Sequence, residues 1–388
     1  MRFLTRKLIA AAALSLMAGY ATADVKIGFM ATMSGPAAAL GQDQYDGFML
    51  AVEQGGGKLG GVAVQIVKED DQLKPDLGVQ LVKKLTESEK VDVVAGLTFS
   101  NVMMAIAKPL GDSGVPFVGS NAGPAPLAGD QCRANFVFAS YQNDNQAEVL
   151  GQYAVDKGYK KMMLMAPNYQ SGKDQVVGFK RFYKGPVVAE VFTQLNQPDY
   201  SAEIAQVQAL QPDAIFAFFP GGMGVNFIKQ MNQSGLLKKV PLLTVSTVDG
   251  TTLPAIGAAA LGVLAGGPWG PDLPGQANAD FVKAFEAKYQ RIPSQYAAQA
   301  YDSAHLIGSA LQATGGKAGD RPAFLKALHE ARFDSVRTNF KIGANGFPVQ
   351  DEHVYEVAKD AQDRVSLKTI ATPLKSYVDA YASQCKPK

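Results

Sequence analysis

The stretch Val91-Asp92-Val93-Val94-Ala95-Gly96-Leu97-Thr98-Phe99-Ser100-Asn101 contains a short apolar run, a polar loop and the beginning of a helix. The apolar run, residues 91–95, predicts a buried strand, and the pattern of residues 101–112 predicts a helix. A strand followed closely by a helix is typical of parallel βαβ units. In an open sheet of such units, ligands bind beyond the carboxyl ends of the strands. The stretch therefore predicts an α/β fold and a ligand site at its loop.

The loop Gly119-Ser120-Asn121-Ala122-Gly123-Pro124 follows the next predicted strand, residues 115–118. Helix N-termini and unpaired backbone N–H groups at such a sheet edge favour a bound anion. Ser100 adds a hydroxyl group, Gly123 lets the backbone approach closely, and Phe99 adds an apolar face. We therefore expect a pocket for a small carboxylate with an apolar body.

Strand and helix patterns alternate through most of the chain and restart after Gln142-Asn143-Asp144-Asn145. This alternation predicts two units with parallel sheets, the second beginning near residue 144. From residue 266 the pattern changes to a crossing segment rich in glycine and proline, residues 266–271, which three helices follow. Asn345-Gly346 is a strong hairpin signal, and residues 374–383 predict a helical tail. We expect the late helices to pack on the first unit.

Residues 1–23 have the pattern of a secretory signal peptide. Three basic residues precede an apolar run, and Ala21-Thr22-Ala23 has the form of a cleavage site. The apolar run is too short to span a membrane, which takes about 20 residues, so we expect an exported protein. The rest of the chain is nearly neutral and has no basic runs, which argues against nucleic acid as a partner.

The chain has two cysteines, Cys132 and Cys385. In an oxidising compartment an even and sparse pair indicates one disulfide bond. The alternative is two unpaired thiols.

Three motifs that often carry chemistry have plainer explanations here. Residues 55–60, GGGKLG, match the dinucleotide fingerprint, but they follow a helix and precede a strand, the reverse of the order that the fingerprint needs. We interpret them as a helix stop and a turn. His305, His329 and His353 lack metal-ligand spacing, and Glu69-Asp70-Asp71 is best explained as a solvated loop that caps a helix. No nucleophile, base and oxyanion hole come together, so we expect no enzyme, no metal site and no cofactor.

Aromatic residues lie where three predicted strands end. They are Phe99, Tyr169 and the pair Phe218-Phe219. Each alone is more typical of a core. Together, in two units, they predict a cleft lined for an apolar or aromatic group.

Several short motifs occur in an order and spacing that resemble a known family along nearly the whole chain. They are Met33-Ser34-Gly35-Pro36, Gly41, Glu69-Asp70-Asp71, Val94-Ala95-Gly96, Asp199-Tyr200-Ser201 and Tyr296-Ala297-Ala298-Gln299-Ala300-Tyr301-Asp302. The chain resembles the branched-chain amino-acid-binding (type I) periplasmic solute receptors of ABC importers. The resemblance implies an α/β fold of two Rossmann-like lobes with parallel central sheets, joined by a three-strand hinge and closing on a ligand.

The expected boundaries follow from this resemblance. Residues 24–143 and 267–342 would form the first lobe, and residues 144–266 and 343–373 the second. Residues 374–388 would return to the first lobe.

The resemblance also implies roles for individual residues. Ser100 and the Ala122-Gly123 stretch correspond to the positions that hold a ligand carboxylate. Receptors for amino acids place acids against the ammonium group, but Asn143 stands at the first such position, and Ser246 or Thr247 at the second. Asp144 and Asp249 lie nearby. The full set of expected ligand-binding residues is Leu40, Thr98, Phe99, Ser100, Asn121, Ala122, Gly123, Asn143, Tyr169, Phe219, Thr247 and Asp249.

The missing acid favours a ligand without an ammonium group, because an unpaired buried ammonium costs several kcal/mol. Residues 141–145 and 167–174 also resemble the subgroup associated with aromatic acids. We therefore expect a monomeric periplasmic receptor that passes benzoate, a hydroxybenzoate or a phenylpropanoid to membrane permease subunits. The alternatives are a branched-chain or hydrophobic amino-acid receptor and a ligand sensor for a signalling partner.

Overall fold

The computed structural model describes residues 25–386. The predicted signal peptide, residues 1–23, lies outside these described residues. Within them, none of the helices combines the length and the apolar character needed to cross a membrane.

The first sheet has six strands in the order β2-β3-β1-β4-β5-β6. They are β1 Val25–Ala31, β2 Lys58–Leu59, β3 Val62–Asp70, β4 Val93–Gly96, β5 Phe117–Gly119 and β6 Phe136–Phe138. All pairings are parallel except that of β2 with β3, a short hairpin. The helices between these strands are α1 Ala38–Gln54, α2 Pro75–Lys83, α3 Ser100–Ser113 and α4 Ala125–Ala128.

The first sheet forms as the sequence pattern predicts. All four residues of β4 are buried, as expected for a strand covered by helices on both faces. α1 ends before Gly56 and Gly57, whose φ angles of 64° and 81° only glycine adopts without cost. The prediction that residues 55–60 stop a helix and form a turn is therefore confirmed.

The second sheet has the order β12-β13-β11-β10-β9-β7-β8, with β14 paired to β13. Its strands are β7 Met162–Pro167, β8 Val187–Thr193, β9 Ala214–Phe218, β10 Leu242–Val245, β11 Leu264–Gly267, β12 Lys341–Ile342, β13 Pro348–Lys359 and β14 Val365–Tyr377. The helices that accompany it are α5 Asn145–Asp156, α6 Gln170–Phe182, α7 Ser201–Leu210, α8 Gly222–Gln233 and α9 Leu253–Ile256.

Three late helices pack on the first sheet's side of the molecule. They are α10 Gln276–Tyr289, α11 Gln295–Ala313 and α12 Arg321–His329. Ser294 caps α11 by accepting the N–H groups of Tyr296 and Ala297, and Asp320 caps α12 in the same way. α11 and α12 share a core with Phe29 and Phe48. We call the six-stranded sheet with its helices the first lobe, and the eight-stranded sheet with its helices the second lobe.

The chain passes between the lobes three times: after β6, after β11 and through the β12–β13 hairpin. Arg337 ties two of these crossings together. Its guanidinium donates to the Ser140 carbonyl oxygen over 2.7 Å and to Gln350 Oε1 over 2.9 Å, and it pairs with Asp302 at 2.8 Å. The expected fold, two lobes on a three-strand hinge, is confirmed.

Three local predictions are corrected. Residues 374–383 do not form a helix, because β14 continues to Tyr377 along β13 and only a 3₁₀ turn, Ala382–Gln384, follows. Gly266 and Gly267 end β11 rather than lying in a crossing loop. Asp71 is fully buried rather than solvated, since it accepts the Thr32 hydroxyl over 2.5 Å.

The predicted disulfide bond is present. Cys132 and Cys385 are bonded with their Cα atoms 5.6 Å apart, within the usual range for a disulfide. The bond attaches the end of the chain to the segment that follows α4.

Candidate ligand-binding site

A small cleft lies where the carboxyl ends of the strands of the two sheets face each other. Ligands of open α/β sheets bind at such strand ends. The space between the atoms of the cleft is about 270 Å³, part of it open to solvent, and the free cavity volume is about 10 Å³. The first lobe and hinge contribute Leu40, Thr98, Phe99, Ser100, Asn121, Ala122, Tyr141, Asn143 and Tyr296, and the second lobe contributes Tyr169, Ser171, Phe218, Pro220 and Ser246.

Two helices begin at this cleft. α3 begins at Ser100 after Phe99, and α6 begins at Gln170 after Tyr169. Neither preceding residue caps its helix with a side chain, so first-turn N–H groups have no side-chain partner. Two uncapped N-termini give the cleft a positive potential that favours an anion.

The first-lobe wall is held by a chain of buried hydrogen bonds. Thr98 Oγ1 accepts the Thr32 N–H and the Gln44 side chain, both over 2.9 Å. Asn121 donates to the Thr98 carbonyl oxygen over 2.7 Å and accepts the Tyr141 hydroxyl over 2.9 Å. Because each group has a fixed partner, the loops after β4 and β5 are positioned before any ligand arrives.

Asn143 occupies the centre of the polar end of the cleft. Its Nδ2 donates to Ser100 Oγ over 3.0 Å and to Asp174 Oδ2 over 2.8 Å, while its Oδ1 accepts the Gly123 N–H over 3.1 Å. The Ala122 N–H donates to the Leu97 carbonyl oxygen. The backbone N–H groups that we expected to hold a carboxylate are therefore engaged within the protein, and Gly123 does not line the cleft.

The apolar end of the cleft is a set of aromatic rings. Tyr169 lies with its ring centroid 6.1 Å from Phe99 and 6.1 Å from Phe218, nearly parallel to the latter at 21°. Phe219 does not line the cleft as predicted. Its ring packs in the second-lobe core, with its centroid 4.8 Å from the ring centroids of both Tyr200 and Phe227. Successive side chains of a strand point to opposite faces, so only one of the two phenylalanines can face the cleft.

In the loop after β10, one of the two expected alternatives, Ser246 or Thr247, lines the cleft. Ser246, with φ of 52°, lines the cleft, whereas the Thr247 hydroxyl accepts the Phe219 N–H over 2.9 Å. Asp249 lines a neighbouring larger cavity with Trp269 and accepts the Thr251 N–H over 2.7 Å. Burial raises the pKa of Asp249 to about 6. Thr247 and Asp249 therefore do not line the cleft, contrary to the prediction.

The other nearby acid also lies elsewhere. Asp144 pairs with Arg181 at 2.8 Å and accepts the Tyr381 hydroxyl over 2.8 Å, pointing away from the cleft. Among residues 25–386, no acidic or basic side chain lines the cleft. Burial raises the pKa values of Tyr141 and Tyr169, so both phenols stay neutral at physiological pH.

Six cleft residues were absent from the predicted set: Tyr141, Ser171, Phe218, Pro220, Ser246 and Tyr296. Phe218 and Ser246 stand next to predicted residues, and Tyr141 and Tyr296 lie in motifs that carried the family resemblance. Tyr296 belongs to the first turn of α11, and no local pattern predicts that this helix begins at the cleft. The described part of the chain holds no group of three or more His, Cys, Asp or Glu residues that could bind a metal ion.

Two α/β lobes that enclose a cleft at their strand ends define a receptor for a small solute. The chain belongs to the periplasmic binding protein family, which matches residues 24–362. It is therefore a periplasmic solute-binding receptor of the ABC-transporter type, a class that works with membrane permeases.

Solved structures and curated relatives support this assignment. A solute-binding protein from R. palustris in complex with benzoate is 31% identical, with a TM-score of 0.89 over 94% of this chain and 99% of that chain. Another from R. palustris, in complex with 4-hydroxybenzoate, is 27% identical with a TM-score of 0.85, over 91% of this chain and 98% of that chain. The Leu/Ile/Val-binding protein homolog 6 of Brucella melitensis is 29% identical over 91% of this chain and 92% of its own length.

Proposed function

We propose that the cleft binds a small aromatic carboxylate, such as benzoate, a hydroxybenzoate or a phenylpropanoid. The observation that carries this proposal is the lining: two uncapped helix N-termini, five aromatic rings and no acidic side chain among the described residues. The carboxylate would lie against Ser100 and the first turn of α3, with the ring between Phe99, Tyr169 and Phe218.

The lining also disfavours an amino acid. A ligand ammonium enclosed here would contact hydroxyl groups and a neutral amide, which accept hydrogen bonds but carry no balancing charge. Asp174 is a nearby carboxyl group, but it does not line the cleft and it contacts the cleft residue Asn143 instead. Burying an unpaired charge costs several kcal/mol. An aromatic acid without the α-ammonium avoids that cost and keeps the contacts with the rings.

The similar R. palustris proteins are described as complexes with benzoate and 4-hydroxybenzoate, which supports the proposal. The name of the Brucella relative favours leucine, isoleucine and valine as the second candidate class. We further propose that the receptor is exported with loss of residues 1–23, works as a monomer, and delivers its ligand to a permease for import.

A thermal-shift screen decides between the two ligand classes. A ligand present at 100 times its dissociation constant adds about 2.7 kcal/mol to the free energy of unfolding. We expect benzoate, 4-hydroxybenzoate and cinnamate to raise the melting temperature, and leucine, isoleucine and valine to leave it unchanged. The opposite ranking would contradict the proposed function and favour the second candidate.

A further inference from the structure

Asp174 is a buried carboxyl group that contacts both lobes. It belongs to α6 and is only 5% exposed. Its Oδ2 accepts the N–H of Ala125, in the first lobe, over 3.1 Å and Asn143 Nδ2 over 2.8 Å. Its Oδ1 accepts the Gln170 side chain over 2.7 Å. All three donors are neutral, so within the described part of the chain the carboxylate has hydrogen bonds but no opposite charge in contact.

The ionisable groups that face Asp174 do not favour its negative charge. They are Asp144, just before α5, and Tyr169, just before α6. Asp144 forms an ion pair with Arg181 of α6 at 2.8 Å. The first lobe presents the Ala125 backbone. Burial and the charge of Asp144 outweigh the three hydrogen bonds and raise the pKa of Asp174 to about 6.

Asp174 is also close to the proposed ligand carboxylate. Asn143 Nδ2 joins it to Ser100 Oγ through contacts of 2.8 and 3.0 Å, so the two oxygens are at most about 6 Å apart. A carboxylate bonded to Ser100 would lie within roughly 9 Å of Asp174, allowing a further hydrogen bond of ordinary length. Two like charges this close in a partly desolvated site disfavour each other, and the group with the higher pKa takes the proton.

We propose that the cleft binds its carboxylate ligand together with one proton, which is taken from solvent and resides on Asp174 Oδ1. This inference rests on the proposed function. The ligand stays ionised, since an ordinary carboxyl group has a pKa near 4.

The neighbours of Asp174 can accommodate the proton without losing a contact. Oδ2 keeps its bonds to Ala125 and Asn143. The new O–H on Oδ1 donates to Gln170 once the terminal amide of Gln170 rotates to present its oxygen. Asp174→Asn has the same shape and hydrogen-bonding pattern as this protonated form, with its amide oxygen at the Oδ2 position, so it is a permanent mimic of it.

The proposal fixes the sign of the pH dependence. Below about pH 6 the unliganded protein already carries the proton, so affinity changes little with pH. Above that value each binding event takes up a proton, and affinity falls as the pH rises, approaching tenfold per unit where uptake is complete.

The test is calorimetric titration with benzoate from pH 5.5 to pH 8.5, in pairs of buffers that differ in ionisation enthalpy. The wild-type protein should take up between half a proton and one proton at pH 7.5. Asp174→Asn should take up none, show a flat pH profile, and match or exceed the wild-type affinity at pH 8.5. The control is Asp130→Asn, which removes an exposed carboxylate beyond α4 and should behave as wild type.

Each other outcome is decisive. Zero proton uptake by the wild-type protein, or a wild-type pH profile in Asp174→Asn, would overturn the inference while leaving the proposed function intact. Failure of benzoate, 4-hydroxybenzoate and cinnamate to bind at any pH would overturn both. If Asp174→Asn does not fold, the proton uptake of the wild-type protein decides the question.

Discussion

At the scale of single residues, Ser100 is the side chain on which carboxylate recognition depends most. Its hydroxyl accepts Asn143 Nδ2, so its own proton remains to be donated to a ligand. Ser100→Ala should weaken binding of benzoate by about 1–3 kcal/mol, the usual loss of a hydrogen bond to a charged group.

The control for this change is Ser113→Ala, at the other end of α3, where the hydroxyl donates to the Leu110 carbonyl oxygen and accepts the Val115 N–H. Calorimetric titration measures both variants. Equal affinity of Ser100→Ala and the wild-type protein would remove Ser100 from the site.

Asp174 has a second measurable consequence, in stability rather than in binding. Its pKa of about 6 in the folded protein exceeds the value near 3.9 of an unfolded aspartate. A raised pKa means that the folded state favours the protonated form of Asp174. The stability that this form contributes to the folded state is lost as the pH rises from about 4 to about 6. Asp174→Asn should therefore raise the free energy of unfolding at pH 7.5, by on the order of 3 kcal/mol at most.

Urea unfolding at pH 7.5 and at pH 4 tests this prediction. The gain should shrink toward zero at pH 4, and Asp130→Asn should show no change at either pH. A variant less stable than wild type at pH 7.5 would show that the charged form of Asp174 is the one that the fold favours.

The sequence located the loops of the cleft more reliably than the side chains that face it. The pair Phe218-Phe219 and the alternatives Ser246 and Thr247 were both named, and in each case the first of the two residues lines the cleft while the second was placed in the expected set. Side chains alternate between faces along an extended segment, so an error of one residue exchanges the cleft for the core. The position of each strand's last residue depends on the neighbouring strand, which local sequence does not specify.

At the scale of elements, the contact between α1 and α11 closes the first lobe. Gly47 of α1 lies against the Ala297 carbonyl oxygen of α11. A Cβ at residue 47 would clash with that oxygen, because it would be much closer than van der Waals contact allows. Gly47→Ala should lower the free energy of unfolding by about 1–3 kcal/mol, as overpacking does.

A matched change is Gly319→Ala, where an added Cβ meets no atom within 4 Å. It should leave stability within about 0.5 kcal/mol of wild type. Chemical denaturation of both variants makes the comparison. Equal stability of Gly47→Ala and wild type would mean that the two helices have room to separate.

Most helices and strands follow from the local sequence pattern, but residues 374–383 do not. Leu374, Tyr377 and Tyr381 have helical spacing, yet β14 extends to Tyr377 because it pairs with β13 over most of its length. Pairing with a long neighbouring strand overrides a helical pattern in a short segment. The strand β1, Val25–Ala31, needs no such partner information, because its run of apolar residues already indicates a strand.

At the scale of the whole molecule, the disulfide bond closes a loop across a sequence separation of 253 residues. Cross-linking so long a loop stabilises a protein by about 2–4 kcal/mol in ordinary cases. The double variant Cys132→Ser with Cys385→Ser should lower the melting temperature and leave benzoate affinity unchanged, since neither residue lines the cleft.

Adding a reductant should bring the wild-type protein to the stability of the double variant, and should not affect the variant itself. Calorimetric melting with and without reductant makes this test. If the double variant melts at the same temperature as the oxidised wild type, the bond contributes nothing measurable to stability.

The central claim is that the cleft accepts an aromatic carboxylate and rejects an α-ammonium group. The most direct measurement is a pair of calorimetric titrations with 3-phenylpropanoate and L-phenylalanine, which differ only in that ammonium group. Because none of the acidic residues between positions 25 and 386 lines the cleft, we predict that 3-phenylpropanoate binds at least tenfold more tightly, a difference of about 1.4 kcal/mol or more. Tighter binding of L-phenylalanine would contradict the account, because it would show that an acidic group such as the nearby Asp174 balances the ammonium charge.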